Sequence, residues 1–230
     1  MTLTSIAERT RVEIYSRLAQ DGALPTNDVL AERLDLTPSE FRDALRELAE
    51  TRNIVLSGEQ VEMAHPFATR SFRFSVMSAE TLWWGGCAWD AFAIPNLVPD
   101  ASPVLVATTC PACETAHAWV VTNAGSPSGS QVAHFLTPMD QIWPDAAHAC
   151  ENQQIFCSAA CVERWLRRTG NQLGYIMSLE TLWRLASGWY DGRLSSPYHR
   201  REPAAASDYF RSVGLSGPFW GLPEDSPVIG

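Results

Sequence analysis

The chain has 230 residues, 46% hydrophobic and 19% charged, which excludes disordered and collagen-like classes and is long enough to bury a core. Its formal net charge of −9, from 17 basic and 26 acidic residues, argues against a general electrostatic grip on nucleic acid or on an anionic membrane. The longest apolar stretch, Leu82 to Val98, carries Asp90 and ends around Pro95 and Pro99, short of the roughly 20 residues of a spanning helix.

The first 63 residues read as three helices and a hairpin. Ser5 and Glu8 have capping-box spacing, and Val12, Tyr15, Leu18 and Ala19 follow at helical intervals. Thr26 is placed to cap a second helix, and Thr37-Pro38-Ser39-Glu40 a third, with Phe41, Leu45 and Leu48 as its buried stripe. Ile54-Val55-Leu56 and Val61 to Met63 flank Ser57-Gly58 as two short strands. This order predicts a winged-helix-like module. Its third helix sets Glu40, Asp43, Glu47 and Glu50 against Arg42 and Arg46, so a structural or dimerising role is expected rather than DNA binding.

From residue 64 to 195 the pattern predicts a mixed β-sheet domain with flanking helices, making the whole chain α+β. Phe72, Phe74 and Val76 alternate as a half-buried strand, and Ser78 is placed to cap a helix from Ala79 to Ile94 that Pro95 ends. Val104 to Thr108, Ala118 to Thr122, Val132 to Leu136 and Ile155 to Cys157 are strand candidates. Ser158 and Ser178 are placed to cap two further helices. Residues 196–230, rich in Pro, Ser and Gly with aromatic anchors such as Tyr198, Tyr209, Phe219 and Trp220, read as a tail that wraps the surface.

No basic-then-apolar leader opens the chain, so a cytoplasmic protein with reduced thiols is expected, in which six cysteines are metal ligands or reactive groups. Cys87-Ala-Trp-Asp90 places a thiol and a carboxyl three residues apart on one helix face. Trp83, Trp84, Trp89 and Phe92 surround them, a setting that favours a carboxyl holding its proton. Cys157 immediately precedes a predicted helix, whose N-terminal amides favour a thiolate. Two thiolates select a soft metal, and a neighbouring acid can deliver a proton to whatever leaves it. The tryptophans at helical spacing, among them Trp183 and Trp189, are core first and an apolar wall for an organic group second.

Trp84-Gly-Gly-Cys87-Ala-Trp-Asp90-Ala-Phe-Ala-Ile-Pro95, the later Ile155-Phe156-Cys157 and the segment Trp165 to Trp189 resemble the organomercurial (alkylmercury) lyase family, over residues 60 to 190 or so. Members of that family also begin with a winged-helix-like module. By motif the family's catalytic trio falls on Cys87, Asp90 and Cys157, and its structural cysteine on Cys110. The resemblance implies protonolysis of a carbon–mercury bond: Cys87 and Cys157 bind R–Hg⁺, and Asp90, having helped to take a thiol proton, protonates the carbon. The products are a hydrocarbon and Hg(II) held between the sulfurs, to be passed to a thiol acceptor or a mercuric reductase. No cofactor, nucleic acid or membrane partner is implied.

The remaining cysteines depart from the family pattern. Cys110-Pro-Ala-Cys113 is a Cys-x-x-Cys knuckle, and Cys157-Ser-Ala-Ala-Cys161 supplies a second pair close to His148 and Cys150. Cys110, Cys113, Cys150 and Cys161 are candidate ligands of a structural zinc. A zinc ligand cannot also be a free catalytic thiol, so two readings compete for Cys157. His65, His117, His134 and His199 are scattered and read as surface or locally bonded residues. Two rivals to the lyase remain: an enzyme of the same kind acting on another soft-metal or organic substrate, and a non-enzymatic zinc or mercury sensor.

Overall fold

In the computed structural model, which describes residues 3–223, the chain opens with α1 (Ser5–Asp21), α2 (Asn27–Arg33) and α3 (Pro38–Glu50). The α1 cap is Thr4 rather than Ser5: its hydroxyl accepts the Ala7 amide at 3.2 Å. At α3 the capping box is complete, Thr37 Oγ1 accepting from the Glu40 amide while the Glu40 carboxylate accepts from the Thr37 amide at 2.8 Å. Strands β1 (Val55–Ser57) and β2 (Gln60–Ala64) follow as a hairpin.

Next come β3 (Phe67–Ala68), β4 (Phe74–Met77), β5 (Leu82–Gly85) and α4 (Ala88–Leu97). They are followed by β6 (Val104–Thr109), β7 (Ala116–Val121), β8 (Val132–Phe135), α5 (Ala146–Glu151) and β9 (Gln153–Phe156). The described chain closes with α6 (Ala159–Thr169), β10 (Tyr175–Ser178), α7 (Leu179–Trp189) and α8 (Pro203–Ser212).

The strands form a seven-stranded sheet, β1-β2-β3-β5-β4-β6-β7, and a three-stranded sheet, β10-β8-β9. Every strand pair is antiparallel. The expected mixed sheet is therefore corrected to an antiparallel one. The physical reason is connectivity: the crossovers through α4 and α6 return strands one place apart, so that β4 lies antiparallel between β5 and β6 and β8 between β9 and β10. The α+β class stands, with helices and antiparallel sheets sharing one core.

The largest local departure lies just before Cys87. In place of one helix from Ala79, Ser78 closes a turn, its hydroxyl accepting the Glu80 and Thr81 amides, and Leu82–Gly85 become β5. Adjacent tryptophans favour a strand, and Gly85-Gly86 then allow a sharp entry into α4, whose N-cap is Cys87. Pro95 does not end this helix, which runs on to Leu97; sited in the last turn, it forgoes only one backbone hydrogen bond. Residues 88–95 of α4 are all buried, as expected of a helix packed on every side. It lies against β4 and β5, against β9 and against α7.

In the C-terminal segment Phe210 of α8 and Trp220 are buried and meet the Trp89 ring, with centroids 6.3 and 6.2 Å away. Residues 224–230 of the expected tail lie outside the described residues. Among the described residues no helix is long and apolar enough to cross a membrane.

A Cβ on Gly85 would meet the Ala91 Cα and Cβ at 2.8 Å, and the Ala91 backbone cannot yield without shifting α4. Gly85→Ala is expected to cost about 1–3 kcal/mol of stability, read as a lower urea midpoint at unchanged slope. An unchanged midpoint would show that α4 is not seated on β5 in this way.

Candidate active site

The turn through Gly86 brings the start of α4 against the end of β2. Cys87 Sγ accepts the Asp90 amide at 3.4 Å, so the thiol serves as the helix cap while both side chains stay buried, at 2% and 1% exposure. A Cβ on Gly86 would come within 2.5 Å of Asp90 Oδ2; glycine there leaves room for the carboxyl.

Asp90 is held from two sides. Tyr190, at the end of α7, donates its hydroxyl to Oδ1 at 2.5 Å, and His65 Nδ1 lies 3.2 Å from Oδ2. His65 is fixed in turn by Arg193, whose Nε donates to the His65 carbonyl at 3.3 Å. Burial, with the Asp90 carboxylate beside it, raises the Tyr190 phenol well above its ordinary value, so this group remains a hydrogen-bond donor.

The second thiol at this carboxyl is Cys150, on α5. Its thiol is close enough to that of Cys87 for each to shift the other's titration, and ligand atoms of His65, Asp90 and Cys150 all lie within 4.8 Å of one another. Burial raises the Cys87 thiol well above its usual value, and Cys150 and the Asp90 charge add to that. At Cys150 the contact with Cys87 lowers the thiol, but burial and the charges of Asp90 and Glu151 outweigh it, and the net shift is upward. Both thiols are therefore neutral at neutral pH. They open on a cavity of about 470 Å³ lined also by Trp89, Trp143, Trp189 and Arg200.

Cys157 is elsewhere. It follows β9, whereas Cys150 precedes it, and its sulfur lies 3.5 Å from Cys113 Sγ and 3.4 Å from His117 Nε2. The sulfurs of Cys110, Cys113, Cys157 and Cys161 all lie within 4.8 Å of one another, beside a small apolar cluster of Phe156, Val162 and Trp165 separate from the main core. Burial and its neighbouring thiols push Cys157 up to about 12, while the Thr115 hydroxyl and amide hold Cys113 down to about 6.

Two sequence expectations are thus corrected together: Cys157 does not face Cys87 and Asp90, and Cys150 does not join Cys110, Cys113 and Cys161. The helix-start argument for an activated Cys157 fails because burial and the neighbouring thiols of Cys113 and Cys110 disfavour its negative charge. Sequence reasoning also missed His65 and Tyr190, which carry no motif. For Cys150 a signal was present: two Cys-x₂₋₃-Cys pairs account for four of six cysteines, leaving Cys87 and Cys150 over. Of the other histidines, His134 is buried, accepts the Gly174 amide at 3.1 Å and is pushed down to about 4 by burial, while His199 is exposed.

Comparison with curated protein sequences gives no match. Among solved structures, the mercury-bound form of MerB2 is similar, with TM-score 0.66 and 18% sequence identity over 84% of this chain and 93% of that one, a likeness of fold. The family model described as MerB, alkylmercury lyase, matches residues 67–191, more than half of the sequence and the stretch that holds Cys87, Asp90, Cys150 and Tyr190. The chain belongs to the alkylmercury lyase family, enzymes that cleave the carbon–mercury bond of organomercurials.

Proposed function

We propose that the lyase reaction is carried by Cys87, Cys150 and Asp90, with Cys150 in the role first expected of Cys157. The observation that supports this is the meeting of two buried thiols with one buried, doubly held carboxyl in a single cavity. Asp90 receives a proton from a thiol as its sulfur bonds the mercury of R–Hg⁺. The second sulfur then adds, electron density on the mercury-bound carbon rises, and Asp90 returns the proton to that carbon as the carbon–mercury bond breaks. The balance is R–Hg⁺ plus two thiols giving R–H, dithiolate-bound Hg(II) and one free proton. Tyr190 and His65 act as positioning residues, holding the carboxyl between the sulfurs and the site of the departing carbon. The rings of Trp89 and Trp189, with centroids 4.9 Å apart, wall the cavity where the organic group lies.

Residues 1–63 form a winged-helix-like module that serves the fold, residues 64–195 the catalytic domain, and the segment from 196 a strap whose Phe210 and Trp220 back the Trp89 wall. The protein works in the cytoplasm without a redox cofactor, and Hg(II) leaves to a thiol acceptor or a mercuric reductase.

Cys87→Ser and Cys150→Ser are expected to abolish cleavage and stoichiometric Hg(II) retention in the cavity. Asp90→Asn should retain Hg(II) and lose cleavage by about 10²–10⁴-fold, followed as hydrocarbon release from a phenylmercury salt. Wild-type rates in Cys150→Ser, with loss of the chemical step in a folded Cys157→Ser, would return the second sulfur to Cys157.

The raised thiols fix the proton count. At pH about 9, above the ordinary cysteine pKa of about 8.5, raised thiols still carry their protons, and one proton is released per R–Hg⁺ cleaved when the substrate is held as its iodide complex in excess iodide, so that no hydroxide is displaced from mercury. Were both sulfurs thiolates there, one proton would be taken up. A single-turnover experiment with a pH indicator reads the sign directly.

A further inference from the structure

We propose that Cys110, Cys113, Cys157 and Cys161 bind one zinc ion as a closed, structural tetrathiolate site, distinct from the lyase cavity. The four sulfurs lie within 4.8 Å of one another, with Cys113 and Cys157 at 3.5 Å. A tetrahedron with zinc–sulfur bonds of about 2.3 Å has edges of about 3.8 Å, so the sulfurs need close only slightly on an ion at their centre. None of the four is in a disulfide: all are free thiols.

The backbone that carries them is built for this convergence. Cys110 and Cys113 sit on the tight turn between β6 and β7, closed by the Glu114 amide donating to the Cys110 carbonyl and the Cys110 amide to that of Thr115, both at 2.9 Å. Glu114 itself takes φ 60°, an unusual choice for a residue other than glycine. Cys157 ends the β9 connection and Cys161 lies in the first turn of α6. Arg168 of α6 donates to the Pro111 carbonyl, holding knuckle and helix together independently of the sulfurs.

Donors surround the sulfurs as they do metal thiolates. Arg164 Nη2 donates to Cys161 Sγ and the Thr115 hydroxyl lies on Cys113 Sγ, each at 3.2 Å. A metal-bound thiolate has no proton to give, so Thr115 donates, and the guanidinium offsets part of the −2 charge of four thiolates on Zn²⁺. Four sulfurs leave no coordination position open, which marks a structural rather than a catalytic site. The ion would fix the end of β9, the strand that leads away from Cys150.

The test uses full-length protein produced with zinc and without mercury, passed through a mild chelator, then measured for metal content and zinc-edge X-ray absorption. About one zinc per chain with four sulfurs at about 2.3 Å is expected, and cobalt substitution should give the visible spectrum of a tetrahedral tetrathiolate. Cys87→Ser and Cys150→Ser should keep the zinc, and the Cys113→Ser/Cys157→Ser double variant should lose it. Zinc-free wild-type protein, a shell with a nitrogen in place of a sulfur, or zinc loss in Cys87→Ser or Cys150→Ser would overturn the proposal. Because no readout involves an organomercurial, failure here leaves the lyase assignment standing, and the reverse also holds.

Discussion

A carboxyl 1% exposed is an expensive thing to keep inside a protein. An unpaired buried carboxylate costs several kcal/mol, and the structure around Asp90 is arranged to remove that cost. Tyr190 and His65 take one oxygen each, and the Asp90 amide is occupied by Cys87 Sγ. Each partner comes from a different part of the chain: His65 from just after β2, Cys87 from the α4 cap and Tyr190 from the end of α7. The packing of α4 between the two sheets and α7 follows from the need to bring these three together at one carboxyl.

The support extends outward from there. Arg193 holds the His65 carbonyl, and the Arg193 carbonyl accepts from Arg11 Nη1 at 2.7 Å. Arg11 is itself buried and paired with Glu8 at 2.8 Å. Helix α1 thereby reaches the support of the Asp90 carboxyl through hydrogen bonds, from Arg11 to the Arg193 carbonyl and from Arg193 to that of His65. Tyr15, on the same helix, donates to the Asn53 carbonyl at 2.7 Å and lies under the Arg193 guanidinium at 5.4 Å. A cation so enclosed by rings and carbonyls is costly to dislodge.

How much of this was legible depended on range. Local signals read well: the Thr37 capping box, the alternation at Phe72, Phe74 and Val76, and the Ser178 cap all have counterparts in the structure. The Cys87–Asp90 spacing placed thiol and acid together, though as cap and third helical residue rather than as two positions on one face. What failed was tertiary. Trp83 and Trp84 fit an apolar helix and an apolar strand equally well, and only pairing with β3 and β4 decides for β5. Cys150 and Cys157 are seven residues apart at opposite ends of β9; four consecutive buried residues in that strand carry no alternation to show that its ends serve different sites. His65 and Tyr190 are 25 and 100 residues from Asp90, and no local pattern joins them.

The division of six cysteines into a pair and a quartet has a chemical logic of its own. Two sulfurs grip a soft ion yet leave positions free for an organic group to occupy and for an outside thiol to attack, which turnover requires. Four sulfurs close the shell. Were the quartet unfilled, it would offer mercury a second set of soft ligands with no acid to complete a reaction, and product would be held there to no purpose. A resident zinc ion occupies all four sulfurs, so mercury reaches them only by displacing it. It also ties the β6–β7 turn to α6, close to a small apolar cluster that shares no residue with the main core. Small cores of this kind stabilise little alone, so a metal clip there adds what the apolar cluster of Phe156, Val162 and Trp165 cannot supply by itself.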